Sequence, residues 1–232
     1  MNKRLETILS HIDTGVGVID VGTDHGYLPA ALAERGYTGH LFASDIHKGP
    51  LDTAARTAQR AGVSDQIRFI LCDGLDECPP EAVDTIVIAG MGGDMICRIL
   101  DRAEWCMDRR YKLILQPMTK QEVLRYWLVN NEFEIGSEEL VLDNGIIYQV
   151  IVARFGGTTR LTDAELYTGR FASISRSPLF PVHIDRYIER FERAYAGIRS
   201  SAAADAAGKA AVIRNVLTQL KEAKHEHSQA NT

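Results

Sequence analysis

The chain has 232 residues, 45% hydrophobic and 25% charged, with a formal net charge of −5 at pH 7. That length suits one large domain with an appendage, or two small domains, and the composition excludes a disordered or collagen-like chain. No apolar run approaches the ~20 residues of a membrane span, and MNKRLETILSHI sets its charges too close to its apolar residues for a signal peptide. The expectation is a cytoplasmic protein.

After a short N-terminal helix, residues 16–21 read as a buried strand that runs into an acid, a glycine turn and a helix start, VIDVGTDHGYLP. Asp20-Val21-Gly22-Thr23-Asp24-His25-Gly26 has the acid-x-Gly-x-x-x-Gly spacing of the first loop of an S-adenosylmethionine (SAM)-dependent methyltransferase. Gly22 would let the backbone approach a cofactor where a Cβ would collide. The helix N-terminus beyond it offers N–H donors to a carboxylate. Strands near 40–46, 67–73, 84–90 and 111–117 follow, with helical patterns near 28–35, 50–62, 92–102 and 120–131. This alternation predicts an α/β, Rossmann-like doubly wound sheet, mostly parallel, with right-handed crossovers. Phe133–Leu142 and Ile146–Phe155, joined by Asp143-Asn144-Gly145, predict a closing antiparallel hairpin, because Asn and Gly tolerate positive φ. A plain dinucleotide-binding fold would continue with parallel units.

Gly156-Gly157-Thr158-Thr159 reads as a linker, dividing a domain at 1–157 from a helical domain at 158–232. The second part predicts helices near 163–174, 183–200 and 205–225, broken at Ser177–Pro181, with 183–200 and 205–225 folded as an antiparallel hairpin around an Ala- and Gly-containing turn and a frayed end from His225. Residues 1–160 carry 16 Lys and Arg against 23 Asp and Glu, net −7, whereas 161–232 carry 10 against 8, net +2. Cys72, Cys78, Cys97 and Cys106 form no C-x-x-C pair, so reduced thiols and no structural metal are expected.

Three acids fall at successive strand ends: Asp20, Asp45 in FASDI and Asp73 in ILCDG, followed by Gly74. They would line the crevice where open α/β sheets bind ligands, Asp45 toward ribose hydroxyls and Asp73 toward an adenine amine. The competing role for each is a helix cap or turn. NAD fits less well, because Asp24 stands where a second glycine would meet a pyrophosphate. The fourth strand ends in IAGMGG rather than Asn-Pro-Pro-Tyr, and Gly90, Gly92 and Gly93 would leave room for a planar base.

Arg4-Leu5, DVGTDHGYLP, Asp45, CDGL, IAGMGG and LILQP, in this order, resemble the bacterial tRNA (adenine(22)-N(1))-methyltransferases of the TrmK family over residues 4 to about 155. The resemblance implies a class I methyltransferase domain with a coiled-coil-like C-terminal domain, methylating an adenine ring nitrogen in the D-arm region of tRNA. It places Arg4, Asp20, Gly22, Asp24, His25, Asp45, Asp73, Gly74, Gly90 and Met91 around SAM. It also implies an Asn after LILQP, where this chain has Met118, which leaves Gln116 as the nearest polar group. Adenine N1 attacks a sulfonium methyl without prior deprotonation, so alignment would dominate catalysis. Asp24 is the candidate to stabilise the cationic product. The base must leave its stack, and Tyr27 would stack on it, core packing being the alternative for this side chain. Arg186, Arg190 and Arg193, on one helical face, and Arg109, Arg110 and Lys112 are the candidate phosphate contacts, against a solvated face interleaved with Glu189 and Glu192. A small-molecule or protein acceptor, or a SAM- or RNA-binding module without turnover, remains the alternative.

Overall fold

The computed structural model of the protein describes residues 3–199 and 205–230. Seven strands form one sheet: β1 (Val18–Val21), β2 (Leu41–Asp45), β3 (Ile67–Leu71), β4 (Thr85–Gly92), β5 (Lys112–Thr119), β6 (Phe133–Asp143) and β7 (Ile146–Phe155). Their order is β3-β2-β1-β4-β5-β7-β6. The first five are parallel, and β7 runs antiparallel to both β5 and β6. The predicted doubly wound sheet with a terminal hairpin is therefore present, and the Asp143-Asn144-Gly145 turn takes positive φ at Asn144 and Gly145.

Helices cover both faces, as a sheet buried on two sides requires. On one face α1 (Lys3–Ser10), α2 (Tyr27–Glu34) and α3 (Lys48–Ala61) bury Ile8, Leu9, Leu28, Leu32 and Ala58 against Val18, Leu41, Val87, Ile114 and Val150. On the other, α4 (Gly93–Arg102) and α5 (Gln121–Asn130) bury Ile96, Leu100, Leu124 and Leu128 against Ile19, Ile86, Ile88, Leu113 and Ile151. Adjacent residues of β1, Val18 and Ile19, thus serve opposite cores, the period-two consequence of a pleated strand.

Past β7 the chain forms α6 (Asp163–Thr168), α7 (Phe171–Ile174), α8 (Phe180–Arg199) and α9 (Ala206–Ala230). These helices share a third core with the hairpin end of the sheet, in which Leu140 and Ile147 meet Ala164, Phe180, Ile184, Phe191, Val216 and Leu220. Lys221–Glu192, Lys224–Asp185 and the His227–Phe180 ring contact at 4.8 Å make α8 and α9 antiparallel. The turn expected between them, at 200–204, lies outside the described residues.

Three local expectations are corrected. The predicted helix 163–174 is two short helices, because Gly169 sits between them at φ 100 and ends the first. The predicted linker is pinned: Gly156 and Gly157 N–H donate to Glu132 O, and buried Thr159 accepts the Ile135 N–H at 2.8 Å. The frayed end expected from His225 is helical to Ala230, held in part by the His227–Phe180 contact; residues 231–232 lie outside the described residues. Among the described residues no helix is long and apolar enough to cross a membrane, and the four cysteines are buried and free.

Candidate active site

Two cavities open at the carboxyl ends of the parallel strands, where the adjoining loops supply side chains without disturbing the sheet. The larger, about 630 Å³, lies on the α4 side and is walled by Asp45, Ile46, Asp73, Gly74, Met95 and Ile99, among others. The smaller, about 420 Å³, lies on the α1–α2 side, between Arg4, Asp20, Asp24, Tyr27, Gly90 and Met118. Both are lined by Gly22 and Met91. Gly22 has φ +68, and a Cβ there would run into Met91 Cε. The strand that carries Met91 departs from regular register on both sides of it, so its side chain crosses the top of β1.

Asp20 is the next-to-last residue of a fully buried strand and is itself 7% exposed. Burial pushes its carboxyl up to about 6, opposed by the 2.6 Å hydrogen bond from Thr23 Oγ1 and helped by the negative charge of Asp45. Asp45 Oδ1 accepts the His47 N–H at 2.9 Å and Oδ2 the Asp24 N–H at 3.4 Å. Each oxygen keeps acceptor capacity beyond that one bond. Asp24 reaches that donor position through a left-handed φ of 49, which a short polar side chain tolerates.

The remaining sequence candidates fall in different surroundings. Asp73 and Gly74 border the larger cavity, but Arg102 ties the Asp73 carboxylate, together with Asp76, to α4. Tyr27 is 58% exposed rather than core, its ring stacked 5.3 Å from His25. His25 Nε2 lies 3.4 Å from Asp24 Oδ2 at the same mouth. Gln116 is fully buried and does not face either cavity directly: its Oε1 accepts from Arg4 Nη1 at 3.1 Å and its Nε2 donates to Pro117 O at 3.0 Å. Arg4 also lies 5.1 Å from the Tyr148 ring centroid and 3.3 Å from Met118 Sδ, so α1, β5 and β7 together aim the guanidinium.

Arg109, Arg110 and Lys112 stand at the amino end of β5, whereas both cavities lie at its carboxyl end, seven residues and roughly 20 Å away. Each has a local partner: Gly156 O for Arg109, Asp84 and Glu81 O for Arg110, and Asp13 for Lys112. Arg186, Arg190 and Arg193 are exposed on α8. Of the acids interleaved there, Glu192 pairs with Lys221 of α9, as does Asp185 with Lys224, which leaves the arginine charge less opposed. The residues that sequence reasoning missed are Thr23, Ile46 and the α4 group Met95, Arg98, Ile99 and Arg102. Only the one-turn spacing of Arg98 and Arg102 hinted at a common face.

Residues 1–151 match the family described as Methyltransferase domain. Over 185 residues the chain is 30% identical to the Bacillus subtilis tRNA (adenine(22)-N(1))-methyltransferase, covering 78% of each. It belongs to that family. The crystal structure of the Bacillus subtilis tRNA methyltransferase TrmK superposes with a TM-score of 0.84 at 26% identity, covering 97% of this chain and 98% of that one. A Streptococcus pneumoniae protein in complex with S-adenosyl-L-methionine gives 0.81 at 30% identity, covering 96% and 99%. Coverage beyond residue 151 extends the similarity through α6 to α9. In this chain Gly22 lets Met91 Cε pack against its backbone, and Asp20, Asp24 and Arg4 all line the smaller cavity.

Proposed function

We propose that the protein transfers a methyl group from SAM to N1 of adenine 22 in tRNA. The observation that carries this is the meeting of two chemically different cavities at Gly22 and Met91. The larger has apolar walls, Ile46, Met95 and Ile99, suited to an adenine ring, and the Asp45 carboxylate suited to vicinal hydroxyls. The smaller holds Asp20 and Arg4, suited to the ammonium and carboxylate of an amino acid, with Tyr27 and Gly90 at a side open to a flat base.

SAM, when bound, supplies a methyl group activated by its sulfonium. The chain's residues then have three tasks. Asp45, oriented by the His47 and Asp24 N–H groups, anchors the ribose. Asp20 and Arg4 fix the amino-acid end, Arg4 itself being positioned by Gln116 and Tyr148. Gly22 and Met91, which line both cavities, would border the place where adenine N1 takes the methyl as the methyl–sulfur bond breaks, the electron pair staying on sulfur. No base is needed, because N1 already carries a lone pair, so alignment supplies most of the acceleration. Positive charge would pass to the base, and Asp24, which lines the smaller cavity beside His25, is our candidate to oppose it. The His25–Tyr27 stack offers a face for a base drawn out of its helix. We assign residues 158–230 to holding the tRNA, with Arg186, Arg190 and Arg193 against its phosphates.

The test is incubation with labelled SAM and a tRNA transcript, followed by digestion to nucleosides. Label is expected in 1-methyladenosine and is expected to vanish when adenine 22 is replaced by guanine. Label that persists after that replacement, or no label in RNA, would refute the assignment.

A further inference from the structure

The joint between the sheet and the C-terminal helices contains a charged cluster whose residues line neither cavity. Arg125 of α5 has no solvent exposure and Glu138 of β6 is 3% exposed. Arg125 Nε donates to Glu138 Oε1 at 2.9 Å and Nη2 to Oε2 at 3.2 Å. The other face of the guanidinium reaches into the C-terminal helices, where Nη1 donates to Leu166 O at 3.0 Å and to Tyr167 O at 3.4 Å. Nη2 also donates to Gln149 Oε1 of β7. Glu138 Oε2 accepts the Arg170 N–H at 3.0 Å, and Arg170 Nη1 donates to Ile135 O. Gly169 closes the ring with φ +100, where a Cβ would strike Glu138 Oε2. His183 of α8 completes it, with Nε2 at 2.9 Å from Thr168 O and 3.2 Å from Gln149 Nε2.

Stability alone is a poor reason for this cluster. Two dehydrated charges cost several kcal/mol each, and an apolar pair of similar volume is often as stable or more so. The joint already has such a contact in Leu140, Ile147, Phe180 and Ile184. Apolar contact is non-directional, however, and tolerates rotation of one body on the other. A guanidinium has five N–H donors in a fixed planar fork. Here that fork joins three sheet-domain elements, α5, β6 and β7, to two successive carbonyls of α6.

We infer that Arg125, with Glu138 and Gln149, is a positioning cluster that sets the angle of α8 and α9 relative to the methyl-transfer cavities, and so the register in which a bound tRNA presents its adenine. The functional half presupposes the tRNA activity proposed above; the orientational half does not.

The decisive comparison is between Arg125→Met, which strands the Glu138 charge, and the double variant Arg125→Met/Glu138→Leu, which removes both charges. The single variant loses Tm, and the double variant recovers most of that loss. In the double variant SAM affinity and kcat at saturating tRNA stay within about twofold of wild type, while KM for tRNA rises at least tenfold. Arg125→Lys, which keeps the charge without the fork, raises KM as well. Independently of RNA, spin labels on exposed Gln59→Cys of α3 and Ala211→Cys of α9 give a narrow distance distribution in the wild type and a broadened one in the double variant. Should the double variant be too unstable to purify, Gln149→Leu, which keeps the ion pair, is expected to broaden the same distribution. A wild-type KM together with an unbroadened distribution overturns the inference. A wild type that methylates no tRNA sinks the functional reading alone, and the distance measurement still decides the orientation.

Discussion

Asp20 offers the sharpest quantitative check on the cofactor side. Its carboxyl is pushed up to about 6 by burial, the Thr23 hydrogen bond being insufficient to offset the lost hydration. If the donor's ammonium group is held by the ionised form, the apparent dissociation constant is the intrinsic one divided by the ionised fraction. At pH 7 that fraction is close to one. At pH 5 it is about one eleventh, so SAM affinity is expected to fall about tenfold between pH 7 and pH 5. The donor's own α-carboxyl titrates below this interval and its α-amino group above it.

The same shift has a sign for stability. A carboxyl whose folded pKa is raised from 3.8 to about 6 contributes stability below 3.8 that is lost as pH rises through 6. Holding Asp20 ionised at pH 7.5 therefore costs the fold on the order of 1–3 kcal/mol. Asp20→Asn removes that cost. The variant is expected to melt higher than wild type at pH 7.5, to bind SAM at least tenfold more weakly there, and to show no pH dependence of binding between 5 and 7. Calorimetric titration at several pH values, paired with thermal melts, reads both. A flat wild-type profile, or an Asn variant that keeps the wild-type slope, would show that Asp20 does not carry the effect.

Gly22→Ala combines a left-handed φ, worth about 1–2 kcal/mol of strain for a residue with a Cβ, with a collision against Met91 Cε; fluorescence titration is expected to show SAM binding lost by at least tenfold with the fold retained. Replacing Arg186, Arg190 and Arg193 together by Glu should weaken tRNA binding, leave SAM affinity intact and make the log–log salt slope shallower by about 2 to 3; unchanged binding in a filter assay would remove α8 from the RNA surface. Burial holds His183 neutral, down to about 4, with Arg125 and Arg186 adding to the effect against the Thr168 hydrogen bond. A depressed folded pKa means stability is complete above 6.5 and declines as pH falls toward 4, so melting temperatures should drop across that interval, and His183→Gln should flatten part of the decline. Arg109→Ala and Arg110→Ala, at the amino end of β5, are expected to leave tRNA KM unchanged.

The sheet was legible because its information is local. Four of the five parallel strands are short apolar runs closed by an acid or glycine, and the Asn144-Gly145 turn announced the hairpin that separates this topology from a plain dinucleotide fold. The strand-end acids were equally readable as positions. Their availability was not: whether Asp73 faces a ligand depends on Arg102, 29 residues away, and the basic triplet 109–112 has its partners at Asp13, Glu81, Asp84 and Gly156. Tyr27 was ambiguous between core and mouth because one residue of helix phase decides it, and α2 begins at that residue.

A physical asymmetry follows between the two sides of the site. A donor cradle of this kind is built mainly from backbone shape and from side chains that end consecutive strands, so a single chain pass reveals it. The arginine proposed for the donor's carboxylate is positioned across α1, β5 and β7: Arg4 finds its orientation through Gln116, 112 residues on, and through Tyr148 beyond that. Such contacts carry no spacing rule. The same holds for Arg125 and Glu138, which as letters look like an ordinary helix cation and strand acid and only in the fold become a dehydrated pair bridging two helical layers. Residues whose sequence neighbours say nothing about such a role therefore orient Arg4, and Gln116→Ala or Tyr148→Ala is expected to weaken SAM binding through Arg4, a loss that calorimetric titration reads.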